Sequence, residues 1–223
     1  MTDPLGPTLI VGSPGTGKTT EARRLALQDV AATGFPLLAI DPAHVNTLED
    51  IHHEKTLLGT IKRVWGEGQH TAYTPETETE FDTLMQAARA GTRIVLLIDE
   101  LSFYASSHYL SPALSLLGRL YRYALAHVYT TTQHFGDLSQ QLVAVSARII
   151  VFRTVSPRAL ERLEREFGLP PERVKALPQY HRFVVDLAHG GEFWEEGPDG
   201  KVVGVQSDNP PKFPAPRPAD AAP

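Results

Sequence analysis

No cysteine occurs in the sequence, so disulfides, thiolate metal sites and thiol chemistry are excluded together. Long apolar runs are missing too. The longest, Ile94–Ile98, is the length of a strand and far short of a bilayer span. The first residues lack a basic stretch followed by an apolar one, so there is no sign of a secretory leader. The expectation is a soluble, cytoplasmic protein. Excess basic charge is also absent: the formal charge is -5 at pH 7 and the pI is about 6.0. Any contact with nucleic acid must then come from a local patch or pore loop rather than the whole surface. The nine histidines show no metal-ligand spacing, and the adjacent His52–His53 read as a solvated loop pair. Eighteen prolines beside two methionines hint at a heat-adapted source.

What remains is an ordinary globular composition. Hydrophobic residues make up 42% and charged residues 21% of the 223 residues, enough for one compact α/β domain. Strand–loop–helix units recur along the chain, as in a mostly parallel sheet with helices on both faces. Thr8–Gly12, Pro36–Asp41, His70–Thr74, Arg93–Asp99, His127–Gln133 and Ala147–Arg153 read as strands. Lys18–Ala32, Glu76–Ala90, Leu110–Ala126, Leu138–Val145 and Ser156–Phe167 read as helices, with a further turn or two over Glu172–Leu177. Arg158, Arg162 and Arg165 alternate with glutamates and read as a solvated helix face. Tyr180–Leu187 and Lys201–Val205 suggest a C-terminal β-hairpin around Gly197–Gly200. The domain is expected to span residues 1–206. Residues 207–223, rich in proline and poor in apolar side chains, read as a flexible tail that is either inert or a docking peptide.

The sharpest local signal is the run Gly12, Ser13, Pro14, Gly15, Thr16, Gly17, Lys18, Thr19, with Thr20 following. It matches G-x-x-x-x-G-K-[ST] between a strand and a helix. Such a loop turns its backbone N–H groups toward one point, and the following helix adds its positive end, which together bind phosphate. Lys18 supplies a mobile charge for the β- and γ-phosphates of ATP, and the Thr19 hydroxyl enters the Mg2+ shell. Asp99 and Glu100 end an apolar strand at the sheet edge where ligands bind. Asp99 suits the magnesium ion, through a water, and Glu100 suits polarisation of the attacking water. Gln133, at the end of another strand, can orient that water if its strand neighbours that of Asp99. No N-K-x-D-type guanine reader occurs, which favours ATP.

Asp41-Pro42 after the second strand, Asp99-Glu100, Thr131-Thr132-Gln133 and the stretch ARIIVFRTVSPRALERLEREFG at 147–168 together resemble the FtsK/HerA superfamily of DNA-pumping ATPases. The likeness covers roughly residues 8–190. It implies a RecA/FtsK-like P-loop sheet and a homo-oligomeric ring, pentamer or hexamer, that moves double-stranded DNA. Small size makes the chain most similar to the compact genome-packaging ATPases of tailless double-stranded DNA viruses. That likeness implies a capsid or portal-vertex partner and a place in the host cytoplasm or on the virion. Conjugation, plasmid and filamentous-phage assembly ATPases share the pattern. The superfamily places an arginine of a neighbouring subunit at the γ-phosphate; Arg122 matches that place, with Arg119 as competitor, although Tyr121-Arg122-Tyr123 departs from the usual Gly-Arg-Lys. Lys55, Lys62 and Arg63 are candidates for a DNA-gripping loop or a plain solvated one. A P-loop small-molecule kinase and a nucleotide-gated scaffold are the other function classes; the first lacks an arginine-rich lid here.

Overall fold

The computed structural model describes residues 6–41, 51–91, 93–105, 110–188 and 191–204. The proline-rich tail and the side chain of Arg122 lie outside the described residues. The chain opens with β1 (Thr8–Val11), α1 (Lys18–Thr33), β2 (Leu37–Ile40), β3 (His52–His53) and α2 (Leu57–Ile61), which runs into a π-helical turn over Lys62–Gly66. It continues through β4 (Thr71–Tyr73), α3 (Glu78–Gly91), β5 (Ile94–Ile98), α4 (Pro112–Ala124) and β6 (Ala126–Thr132). The last part comprises α5 (Gln140–Val145), β7 (Arg148–Phe152), α6 (Pro157–Phe167), α7 (Pro171–Ala176), β8 (Arg182–Asp186), β9 (Glu192–Glu196) and β10 (Val202–Gly204).

Among the described residues these strands form one sheet in the order β10-β9-β8-β7-β1-β6-β5-β2-β4-β3. Pairing is parallel from β3 to β7 and antiparallel from β7 to β10. In β1, β2, β5, β7 and β8 both faces are buried, because successive strand residues point to opposite sides and most are apolar. Leu9, Leu38, Leu96, Val128 and Ile149 join one core with Phe81, Leu117 and Leu163 from α3, α4 and α6. Ile10, Ala39, Val95 and Ile150 face the other way, onto Ala22 and Ala26 of α1. Small side chains on α1 let the helix that carries the phosphate loop lie close to the sheet. Among the described residues no helix is long and apolar enough to cross a membrane.

Local signals set the helix ends. Gly34, left-handed at φ 71°, returns its N–H to Val30 and stops α1. Ser156 caps α6 on the Ala159 N–H, with Pro157 in the first turn.

Three features depart from the sequence expectation. Between Tyr180–Leu187 and the last strand lies an additional strand, β9, so β8 and β10 each pair with β9 and not with one another. Its charged residues are satisfied by other elements, Glu195 by Arg173 and Glu196 by Arg182. His52–His53 form an edge strand on β4, though their side chains are exposed as expected. Arg162 is not on a solvated face: it is buried, donates to the carbonyls of Phe135 and Leu138, pairs with Glu166 and sits over the Phe135 ring. Arg158 and Arg165 are exposed.

Candidate active site

The loop after β1 is tied to both neighbouring strands. The Gly12 N–H donates to the Thr132 carbonyl at 3.3 Å, and the Ser13 N–H donates to the Arg153 carbonyl at 2.9 Å. Close approach explains two of the glycines. A Cβ on Gly12 would stand 2.7 Å from Phe152 Cβ, and one on Gly17 would stand 2.8 Å from Tyr180 Cδ1. Gly17 also holds φ at 106° as the N-cap of α1, a backbone angle that side chains oppose. Thr16 Oγ1 and Lys18 Nζ both donate to the Ser13 carbonyl, at 2.8 and 2.9 Å. Lys18 is therefore buried and anchored, where the sequence suggested a mobile charge on an exposed loop. Burial holds its ammonium below the usual lysine range, against the opposing pull of the Glu100 and Asp99 carboxylates. Ser13 is half-buried; Pro14, Gly15 and Thr20 are exposed at the mouth of the loop.

Across the cradle stands the end of β5. Asp99, buried, accepts the Thr19 hydroxyl at 3.1 Å and the Thr131 hydroxyl at 2.5 Å. A hydroxyl and a carboxylate, both hard oxygen donors, fit Mg2+, which keeps several waters and takes the rest of its shell from phosphate. Among the described residues no group of three or more His, Cys, Asp or Glu could hold a metal ion.

Glu100 adopts the left-handed region, at φ 46°. A non-glycine residue there is strained, and such strain gathers where a side chain must be aimed. Three donors fix the carboxylate: Glu100 Oε1 accepts Ser102 Oγ at 2.5 Å, the Gln133 N–H at 3.3 Å and Thr132 Oγ1 at 3.4 Å. Its own N–H donates to Thr131 Oγ1 at 3.0 Å. β6 does lie between β1 and β5, which brings Gln133 to the site. The contact it makes with Glu100 is through its backbone N–H. Ser102, Thr131 and Thr132 were not assigned roles from the sequence; a cluster of hydroxyl residues at a strand end beside two acids was the available signal.

The remaining candidates are elsewhere. Arg122 and the exposed Arg119 lie in the second half of α4, which leads into the start of β6, the sheet edge opposite Thr132. That part of α4 therefore lies at the end of β6 away from Thr132 and the cradle of its own chain. Lys55 is exposed, Lys62 is exposed and within 3.6 Å of Glu67, and Arg63 is half-buried.

A triphosphate seat facing a hydroxyl–carboxylate cation pair and an aimed glutamate is the working arrangement of a P-loop ATPase, and that is the class this fold and site define. A model of the family described as an AAA domain matches residues 3–138, more than half of the 223-residue chain, and the chain belongs to that family. A sequence search among curated proteins finds no match. The fold is similar to that of the genome packaging NTPase B204 from Sulfolobus turreted icosahedral virus 2, solved with ATP-gammaS. The TM-score is 0.75 at 20% identity, covering 88% of this chain and 99% of that one. It is also similar to the bacterial conjugative coupling protein TrwBdeltaN70, with a TM-score of 0.61 at 12% identity over 82% of each chain. A third similar structure is EccC (ATPases 2 and 3) from Thermomonospora curvata, with a TM-score of 0.56 at 13% identity, covering 94% of this chain and 38% of that one. The likeness to FtsK/HerA-type packaging ATPases drawn from the sequence thus holds at the level of the fold.

Proposed function

We propose that this chain is an ATP-driven motor that translocates double-stranded DNA, packaging a viral genome into a capsid as a homo-oligomeric ring. The observation that carries this reading is coextension. The chain shares its fold with B204 over 88% of its own length and 99% of the other's.

The site supports the chemistry. Backbone N–H groups of Gly12–Thr19 and the Lys18 ammonium take the phosphates, with Lys18 exchanging its bond to the Ser13 carbonyl for the β- and γ-oxygens. Thr19 and Asp99 would hold Mg2+, which supplies neutralisation of charge on the phosphates when bound. Glu100, aimed by Ser102, Thr132 and the Gln133 N–H, polarises the water that attacks in line. The Gln133 side chain orients that water. Arg122 completes the site from the neighbouring subunit, since its helix is remote from the cradle of its own chain and a desolvated guanidinium stabilises charge developing on the phosphoryl group. A ring that concentrates a few basic residues at its centre explains how a chain with a formal charge of -5 can grip DNA. Such a motor works in the host cytoplasm or on the virion, against a capsid or portal-vertex protein.

The test is the ATPase rate with and without double-stranded DNA, alongside mass in solution. Stimulation that is independent of DNA sequence, weakens with salt and accompanies a pentameric or hexameric mass is expected. A monomer with a DNA-indifferent rate would overturn the proposal.

A further inference from the structure

The phosphate cradle has two flanks. Thr19, Asp99, Glu100 and the end of β6 stand on one, the side of β6 and β5. The sheet order places β7 and then β8 on the other side of β1. A nucleoside triphosphate is a linear ligand. Fixing its γ-phosphate toward β5 sends the α-phosphate, ribose and base out toward β7 and β8.

Tyr180 stands on that second flank. Its ring lies against the last glycine of the loop, since a Cβ on Gly17 would be 2.8 Å from Tyr180 Cδ1 and 3.6 Å from Phe152 Cε1. Tyr180 keeps 47% of its surface exposed. The backbone beneath it is strained: φ is 66°, in a turn closed by the His181 N–H on the Pro178 carbonyl at 3.1 Å. A third turn position with positive φ is taken most readily by glycine or asparagine. Buried Leu177 and Phe183 anchor the turn on either side. An aromatic ring is thus held in a strained turn, half in solvent, at the mouth of the phosphate loop, and strain of this kind is retained at ligand clamps.

We infer that Tyr180 is the nucleoside platform of the site, the residue on whose ring the base of the bound nucleotide stacks. This rests on the reading of the cradle as an ATP site and adds the group that separates a nucleotide from bare polyphosphate. Stacking uses the π-face that every base has, so Tyr180 supplies affinity for a base without choosing adenine over guanine.

Calorimetric titration of the full chain with ATP and with inorganic tripolyphosphate, both with Mg2+, tests it. Tyr180→Leu keeps an apolar side chain against Gly17 and removes the aromatic face; Tyr180→Phe keeps the face. Tyr180→Leu is expected to weaken ATP by about 5- to 150-fold and to leave tripolyphosphate within about twofold, while Tyr180→Phe binds both as the parent does. Unchanged ATP affinity in Tyr180→Leu would overturn the inference. Equal weakening of both ligands would also overturn it, because Tyr180 would then only prop the loop. A parent chain that binds neither ligand would sink the ATP-site reading itself, a result distinct from either.

Discussion

The Thr131 hydroxyl donates to Asp99 Oδ1 at 2.5 Å, across the boundary between β6 and β5. Thr131 Oγ1 in turn accepts the Glu100 N–H at 3.0 Å. One buried side chain thereby sets the position of both acids. Thr131→Val keeps the shape and removes both bonds, leaving a buried N–H unpaired. A loss of about 1–3 kcal/mol in stability is expected, with a higher Mg2+ concentration for half-maximal ATPase activity. Urea unfolding and a magnesium titration check the two effects; an unchanged magnesium requirement would remove Thr131 from the support of Asp99.

Lys18→Ala should abolish tight ATP binding. Because Lys18 is buried and bonded to the Ser13 carbonyl, a cost to the fold is expected as well, on the order of 1 kcal/mol. Nucleotide titration and thermal melting separate the two. Near-parental turnover would contradict the phosphate role.

Glu100→Gln should bind ATP yet hydrolyse it about 10²- to 10⁴-fold more slowly, the usual worth of a positioned general base. Its backbone bond to Thr131 survives the change. Failure to bind ATP would place Glu100 in the metal shell.

Arg122→Ala should bind ATP as a subunit and lose hydrolysis in the assembled ring. Mixing it with Glu100→Gln subunits is the discriminating measurement. Interfaces that pair an intact Glu100 with a neighbour's intact Arg122 should regain activity. A mixture that assembles and stays inactive would exclude Arg122 from acting across the interface and make Arg119 the next candidate.

Asp29 ties α1 to β6, bonding His127 Nδ1 at 2.5 Å and accepting the Tyr129 hydroxyl. Burial pushes its carboxyl up, but the two bonds and the nearby Arg148 outweigh burial and hold it below the usual range. A depressed folded-state value stabilises the protein above the unfolded value of about 3.9, and that contribution disappears as pH falls through the folded value. Asp29→Asn should therefore lose about 1–2 kcal/mol near neutral pH, with the gap to the parent narrowing below about pH 4. A gap that stays constant with pH would show that the charge contributes nothing.

Contiguous signals were legible. The loop Gly12–Thr19 and its flanking strand and helix were readable because the glycines, lysine and threonine act within a few residues of one another. Helix ends at Gly34, Ser156 and Gly168 followed from caps that act over a single turn. The strands ending at Asp99 and Gln133 were readable from their apolar and β-branched runs, and strand ends point to a ligand edge in any parallel sheet.

Other features depend on partners distant in the chain. The strand Glu192–Glu196 has no place in the expected hairpin and shows only once Arg173 and Arg182 stand beside Glu195 and Glu196. Arg162 reads as solvated until the carbonyls of Phe135 and Leu138 face it.

The sequence by itself determined which groups can bind phosphate and a cation, because residue type and local backbone freedom decide that chemistry. Only the tertiary structure decided their arrangement: β6 between the phosphate loop and the acids, Thr131 between Asp99 and Glu100, and Tyr180 against Gly17. The order of strands in a sheet is chosen by hydrogen bonds and packing between segments remote in sequence, and no local pattern of residues carries that information.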